Sequence, residues 1–157
     1  MTDAAALPGR PRGGVVTGPA TARAVNVLAP NASVMTLDGT NTWILAEPDS
    51  DLAVVVDPGP LDEGHLRKVV DTAEKAGRRI ALTLLTHGHP DHIGGLISNG
   101  KPVFGRARYV FGKAEFAFWT EATAVRAARL ANRDLFRQIC TGLADRATFI
   151  APGDEVL

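Results

Sequence analysis

No stretch of this sequence approaches about 18 consecutive apolar residues, which excludes a membrane-spanning helix of the usual kind. Its start, Met1 to Arg23, lacks the apolar core of a signal peptide. The single cysteine, Cys140, cannot close an internal disulfide and fits a reducing, cytoplasmic setting. Neither charge sign is in excess, with 17 basic and 17 acidic residues, so nucleic-acid binding through a large basic surface is disfavoured. What is present is ordinary for a folded domain. A hydrophobic content of 45% with 22% charge excludes disorder over most of the length. A chain of 157 residues suits one domain and can bury roughly two-thirds of its unfolded surface.

Residues 1 to 22 are rich in Ala, Gly, Pro and Arg without periodicity, and read as a flexible arm before a single domain over 23–157. Ala24 to Leu28 alternates like a strand and stops at Pro30-Asn31. Asn41 to Ala46 and Leu52 to Val56 read as a hairpin with a buried second strand that ends at Asp57-Pro58-Gly59-Pro60. Leu66, Val69, Val70 and Ala73 then form one helical face, with Asp62 as N-cap, Gly77 as stop, and His65 on the polar side. Ile80 to Leu85 is a short apolar strand, which completes a βαβ unit with a parallel strand pair. Further on come a strand at Arg108 to Phe111 and a helix from Lys113 to Trp119. Ala-rich turns from Ala122, a helix carrying Leu135, Ile139 and Leu143, and a last strand at Ala147 to Ile150 follow. No repeat is visible. The class is mixed α/β.

Histidine is scarce, four in the chain, and three of the four fall in Thr86-His87-Gly88-His89-Pro90-Asp91-His92. Chance placement would produce such a cluster roughly twice in ten thousand sequences of this composition. A loop leaving a strand end is where open α/β sheets place their sites. His87 and His89, two apart in extended backbone, project to one side and can share an ion. Pro90 suits the first turn of a helix, which brings Asp91 and His92 to the same cavity. Imidazole with carboxylate is a donor set for Zn²⁺, with Fe or Mn as alternatives. Two donors for one ion and two for a neighbour describe half of a binuclear site. Asp57, at the end of a buried strand, reads either as a turn former or as a carboxylate that fixes a ligand beside the metals.

His87-x-His89-x-Asp91-His92, with Ile93-Gly94-Gly95-Leu96 after it and Val56-Asp57-Pro58-Gly59 before it, resembles the metallo-β-lactamase superfamily. That resemblance implies an αββα sandwich with metals at the edge of the sheets, His87 and His89 on the first ion, and Asp91 and His92 on the second. Residues 31–42 are similar to the β-lactamase-like protein 2 and glyoxalase II branch. Residues 100–119 are similar to the methyl parathion hydrolase and lactonase branch. Among the aromatic residues of that second segment, Phe104, Phe118 and Trp119 are candidates for the wall of an apolar substrate pocket, with core packing the plainer alternative.

The family pattern also requires a third histidine, a bridging Asp and a final histidine, and no histidine follows His92 in this sequence. Asp134, Cys140, Asp145 and Asp154 read as ordinary surface or packing residues rather than substitutes. The expectation is therefore the first αβ half of the sandwich, an N-terminal portion of a metal-dependent hydrolase. Such an enzyme uses a metal-bound hydroxide on an ester, lactone or related bond, with Asp91 orienting it. A glyoxalase II-like thioesterase or a ribonuclease is the alternative chemistry, and RNA is the less favoured substrate. A non-catalytic metal-binding module is the alternative of another class. The expected partners are a small-molecule substrate and either a second copy of the chain or a complementary C-terminal segment.

Overall fold

The computed structural model describes residues 17–121 and 129–156. Three adjacent β-rich runs of the sequence form antiparallel neighbours: β2 (Ala24–Leu28), β3 (Asn41–Leu45) and β4 (Leu52–Val56). A further strand, β1 (Gly18–Thr21), pairs antiparallel with β2. This corrects the expected arm over 1–22 at its end, where backbone pairing needs no apolar periodicity in the strand that is recruited. Residues 1–16 lie outside the described residues, as do 122–128, on which the Ala-rich turns were expected.

From β4 onward the connections are helical. Helix α1 (Glu63–Lys75) begins at Asp62, whose side chain accepts from His65 N, and ends before Gly77, which takes the left-handed backbone (φ 71°) that closes such a helix. The chain then runs through β5 (Arg79–Leu84), the short helix α2 (Pro90–Ile93), and the hairpin of β6 (Ile97–Ser98) with β7 (Lys101–Pro102). It continues in β8 (Arg108–Gly112), α3 (Lys113–Glu121), α4 (Leu130–Cys140) and β9 (Ala147–Ile150). The main sheet has the order β1-β2-β3-β4-β5-β8-β9, and β4, β5, β8 and β9 run parallel.

Parallel strands that advance steadily in one direction require crossovers of one hand, and these put their helices on one face of the sheet. Register shows the same face throughout: Ile44 pairs with Val55, Val55 with Thr83, and Thr83 with Tyr109. On that face α1 buries Leu66, Val69 and Ala73 against Val27, Ile44, Ala53 and Val55. Alongside, Tyr109 and Phe111 pack with Ile93, Trp119, Phe136, Ile139 and Leu143. The opposite face carries Trp43, Leu45, Leu52, Val54, Val56 and Leu84, and no helix of the described residues packs on it. The architecture is one αβ layer pair, the first half of an αββα sandwich.

Candidate metal centre

The site forms where the parallel strands end. Asp57 terminates β4 in a left-handed conformation (φ 52°), and its N–H donates to Leu84 O on β5 at 2.9 Å. Its carboxylate is buried. Oδ1 accepts from Thr86 N at 2.8 Å and Oδ2 from Thr86 Oγ1 at 2.5 Å, so the first residue of the motif is pinned by the neighbouring strand end. Pro90 opens α2, as the sequence predicts, and Asp91 and His92 follow in its first turn.

The four motif side chains converge. His87 Nε2 lies 3.1 Å from His89 Nδ1, and His92 Nε2 lies 3.3 Å from Asp91 Oδ2. The His87 and His92 rings are 4.1 Å apart between centroids. Donors about 2.0–2.1 Å from a tetrahedral zinc are separated from one another by about 3.3–3.4 Å, so both pairs have the spacing of two ligands on one ion. Asp57, His87 and His92 also bring one ligand atom each within 4.8 Å of one another. The Asp57 oxygens already hold two Thr86 donors, which leaves this carboxylate better suited to supporting His92 than to binding an ion directly.

His92 Nδ1 is buried 2.9 Å from Asp57 Oδ2. Desolvation is the largest single influence on His92 and lowers its pKa; the Asp57 carboxylate, aided by Asp91, outweighs it and holds the ring above its ordinary value. His87 moves the other way. Desolvation depresses it first, and the neighbouring His92 and His89 rings add to the effect. A deprotonated His87 is the form that donates to a metal.

A cavity of about 320 Å³ opens beside the motif, lined by Thr36, Thr40, Asn41, Trp43, Asp57, Thr86 and His92 among others. The expected pocket wall is placed elsewhere. Phe104 is buried in the α1-side core, and Trp119 is 1% exposed beneath the metal loop. Phe118 is on the surface, edge-on to Trp119. Core packing claims the large rings because α3 and the β7–β8 connection close over the sheet there. His65 is corrected too. It is 3% exposed, with Nε2 2.9 Å from Thr42 Oγ1, because positions 65, 69 and 73 share one helical stripe. Its Nδ1 is buried without a hydrogen-bond partner, so the Thr42 contact is the one bond that holds the ring.

Sequence reasoning missed two supporting residues, Thr40 and Glu115. Thr40 Oγ1 donates to Asp91 Oδ2 at 2.8 Å, and Glu115 Oε1 accepts from Gly88 N at 2.8 Å. No local pattern marks either, since each acts on the motif from a distant segment.

A family model, the metallo-beta-lactamase superfamily, matches residues 35–98. The chain is 37% identical over 76 residues to an atrochrysone carboxyl ACP thioesterase of Pseudocercospora fijiensis, which covers 48% of this chain and 22% of that protein. It is 34% identical over 79 residues to a beta-lactamase-like protein 2 homolog of Drosophila melanogaster, covering 50% of this chain and 26% of the homolog. These matches take in about a quarter of the relatives' own length. In fold, it is similar to AidC, a dizinc quorum-quenching lactonase, with a TM-score of 0.63 at 20% identity over 85% of this chain and 58% of that one. The segment that matches the family model contains residues 87–92, so the motif lies within the part of the chain that is similar to the metallo-beta-lactamase superfamily.

Proposed function

We propose that this chain carries the leading metal ligands of a metal-dependent hydrolase that acts on an ester, lactone or related bond. The observation that supports it most is the donor spacing in the motif, 3.1 Å for His87 with His89 and 3.3 Å for His92 with Asp91. His87 and His89 would hold one Zn²⁺, and Asp91 and His92 a second, with Fe or Mn suited to the same donors. Bound metal supplies an activated water at neutral pH and polarises the oxygen of the bond under attack. Thr40 donates to Asp91 Oδ2 and so fixes the oxygen that would face the second ion with His92, which leaves Oδ1 to orient that water. Asp57 fixes His92 and Thr86, so the ligands keep their places before metal enters.

Small esters and lactones are favoured over RNA because net charge is zero. A thioester substrate is the second reading, favoured by the thioesterase among the relatives. A lone thiol at Cys140, buried and pushed far above its ordinary pKa by desolvation, suits a reducing cytoplasm. A catalytic zinc normally takes three protein ligands, and the motif gives the first ion two. The 157 residues by themselves are thus expected to bind zinc weakly and turn over slowly until a complementary segment completes the set.

The test joins elemental analysis to a substrate panel of lactones, aryl esters, thioesters and single-stranded RNA. The double variant His87→Ala with His89→Ala should lose retained zinc while circular dichroism changes little. Undiminished zinc in that variant would place the ligands elsewhere. RNA cleavage without ester, lactone or thioester turnover would overturn the substrate class, and zinc binding without any turnover in the completed protein would favour a non-catalytic module.

A further inference from the structure

Glu115 stands in the first turn of α3, 27 residues beyond the metal loop. Its Oε1 accepts two hydrogen bonds, from Gly88 N at 2.8 Å and from the indole Nε1 of Trp119, one helical turn further on, at 2.7 Å. Donors from two separate segments thus meet on a single carboxylate oxygen. Trp119 stacks on Phe136 of α4 (6.0 Å between centroids, 22° between planes) and turns its ring edge-on to His89 at 6.2 Å. Gly88 lies flat against this stack. A Cβ at Gly88 would stand 2.6 Å from Trp119 Cδ1 and 2.7 Å from Phe136 Cδ2, so no other residue lets the loop sit this close.

We propose that Glu115 is a positioning residue for His87 and His89. It ties the peptide N–H between the two histidines to α3, and Trp119 is the floor against which that peptide is pressed. The inference rests on the reading that these histidines hold a metal. Its physical basis is that a buried backbone N–H needs a partner, and the Glu115 carboxylate oxygen accepts it. With the Gly88 peptide fixed, the backbone torsions that set the angle between the histidines are fixed too. His87 Nε2 and His89 Nδ1 then stand 3.1 Å apart before any ion binds. The ordering that metal binding would otherwise impose is done during folding.

The experiment uses the full chain with Glu115→Leu and Glu115→Gln. Glutamine keeps a carbonyl oxygen able to accept from both Gly88 N and Trp119 Nε1, whereas leucine keeps only bulk. Two quantities are read: exchange of the Gly88 amide by NMR, and zinc affinity by chelator competition. Leucine is expected to speed Gly88 exchange about tenfold, the loss of one hydrogen bond. It should also weaken zinc about 10–100-fold, the usual cost of removing a group that orients a metal ligand. Glutamine should return both to within about threefold of wild type. A residue that merely stabilised the fold would lower the melting temperature without selective change at Gly88 or in zinc affinity, and that pattern would overturn the proposal. Glutamine behaving like leucine would overturn it as well, since charge and not acceptor geometry would then be at work. If Glu115→Leu does not fold, the wild-type chain decides: a Gly88 amide exchanging at the rate of an unstructured peptide sinks the idea. Wild-type chain that takes up no zinc at any added concentration would refute the metal reading, and the Gly88 exchange comparison would still decide the clamp.

Discussion

Thr40 Oγ1 donates a 2.8 Å hydrogen bond to Asp91 Oδ2, joining residues 51 apart in the chain. The direction is forced. Asn31 Nδ2, which can only donate, lies 3.0 Å from the same hydroxyl, so the Thr40 proton goes to the carboxylate. Asn31 Oδ1 in turn accepts from Thr40 N at 2.8 Å, which locks the pair. Thr40→Val should therefore loosen Asp91 and weaken zinc about tenfold or more, while Thr40→Ser keeps the hydroxyl and most of the affinity. Chelator competition on both variants checks this, and equal affinities for valine and threonine would mean the bond does not matter to Asp91.

His65 makes stability depend on pH. Burial is the largest influence and depresses its pKa; Asp62 and the Pro58 backbone raise it, Lys68 lowers it, and burial prevails. In the unfolded chain the ring takes a proton near the ordinary value of about 6.5, while the folded ring resists until lower pH. Between those values the unfolded state binds more protons, so stability rises with pH. The contribution of neutral His65 is complete above about 6.5 and is lost as pH falls below it, until the folded ring also protonates. Urea unfolding at pH 7.5 and at pH 5 should thus show a larger acid loss for wild type than for His65→Gln. Parallel losses would place the acid sensitivity in other groups.

Gly95 sets how closely α2 approaches the turn after β4. Its N–H donates to Gly59 O at 2.9 Å, and an added Cβ would stand 2.6 Å from Leu66 Cδ2 and 3.1 Å from Pro58 O. Leucine can yield, but the Pro58 carbonyl belongs to the strained turn that presents Asp57. Gly95→Ala is expected to destabilise the chain by about 1–3 kcal/mol, visible as a lower urea midpoint. An unchanged midpoint would show that the turn relaxes freely.

The helix-free face of the sheet leaves Leu45 38% and Leu52 39% exposed beside half-buried Trp43, Val54, Val56 and Leu84. Monomers rarely tolerate such a patch. The isolated chain is expected to sediment well above its 16.6 kDa monomer mass, and Leu45→Lys with Leu52→Lys should return it toward that mass. A wild-type monomer at high concentration would refute the expectation.

The sequence by itself determined the features that local chemistry specifies. The motif residues 87–92 are contiguous, so one strand end and one helix start bring four donors together with little help from elsewhere. Strand alternation, the Asp62 cap and the Gly77 stop are likewise local, and β2 to β5 and α1 formed within a residue or so of where periodicity put them. Tertiary structure decided whatever depends on partners far along the chain. Asp57 reaches Thr86 across 29 residues, Glu115 reaches Gly88 across 27, and Thr40 reaches Asp91 across 51. Thr40 and Glu115 are unremarkable in their own neighbourhoods, and Asp57, marked by its strand end, finds its partner only in the fold. His65 shows the reason most simply: hydropathy assigns an imidazole to water, but helical phase carries it inward, where Thr42 on β3 bonds it. Trp119 shows the same for an aromatic, since any sequence marks it as large and apolar, and only the packing of α3 on the loop makes it the floor beneath residues 87–89 rather than the wall of a pocket.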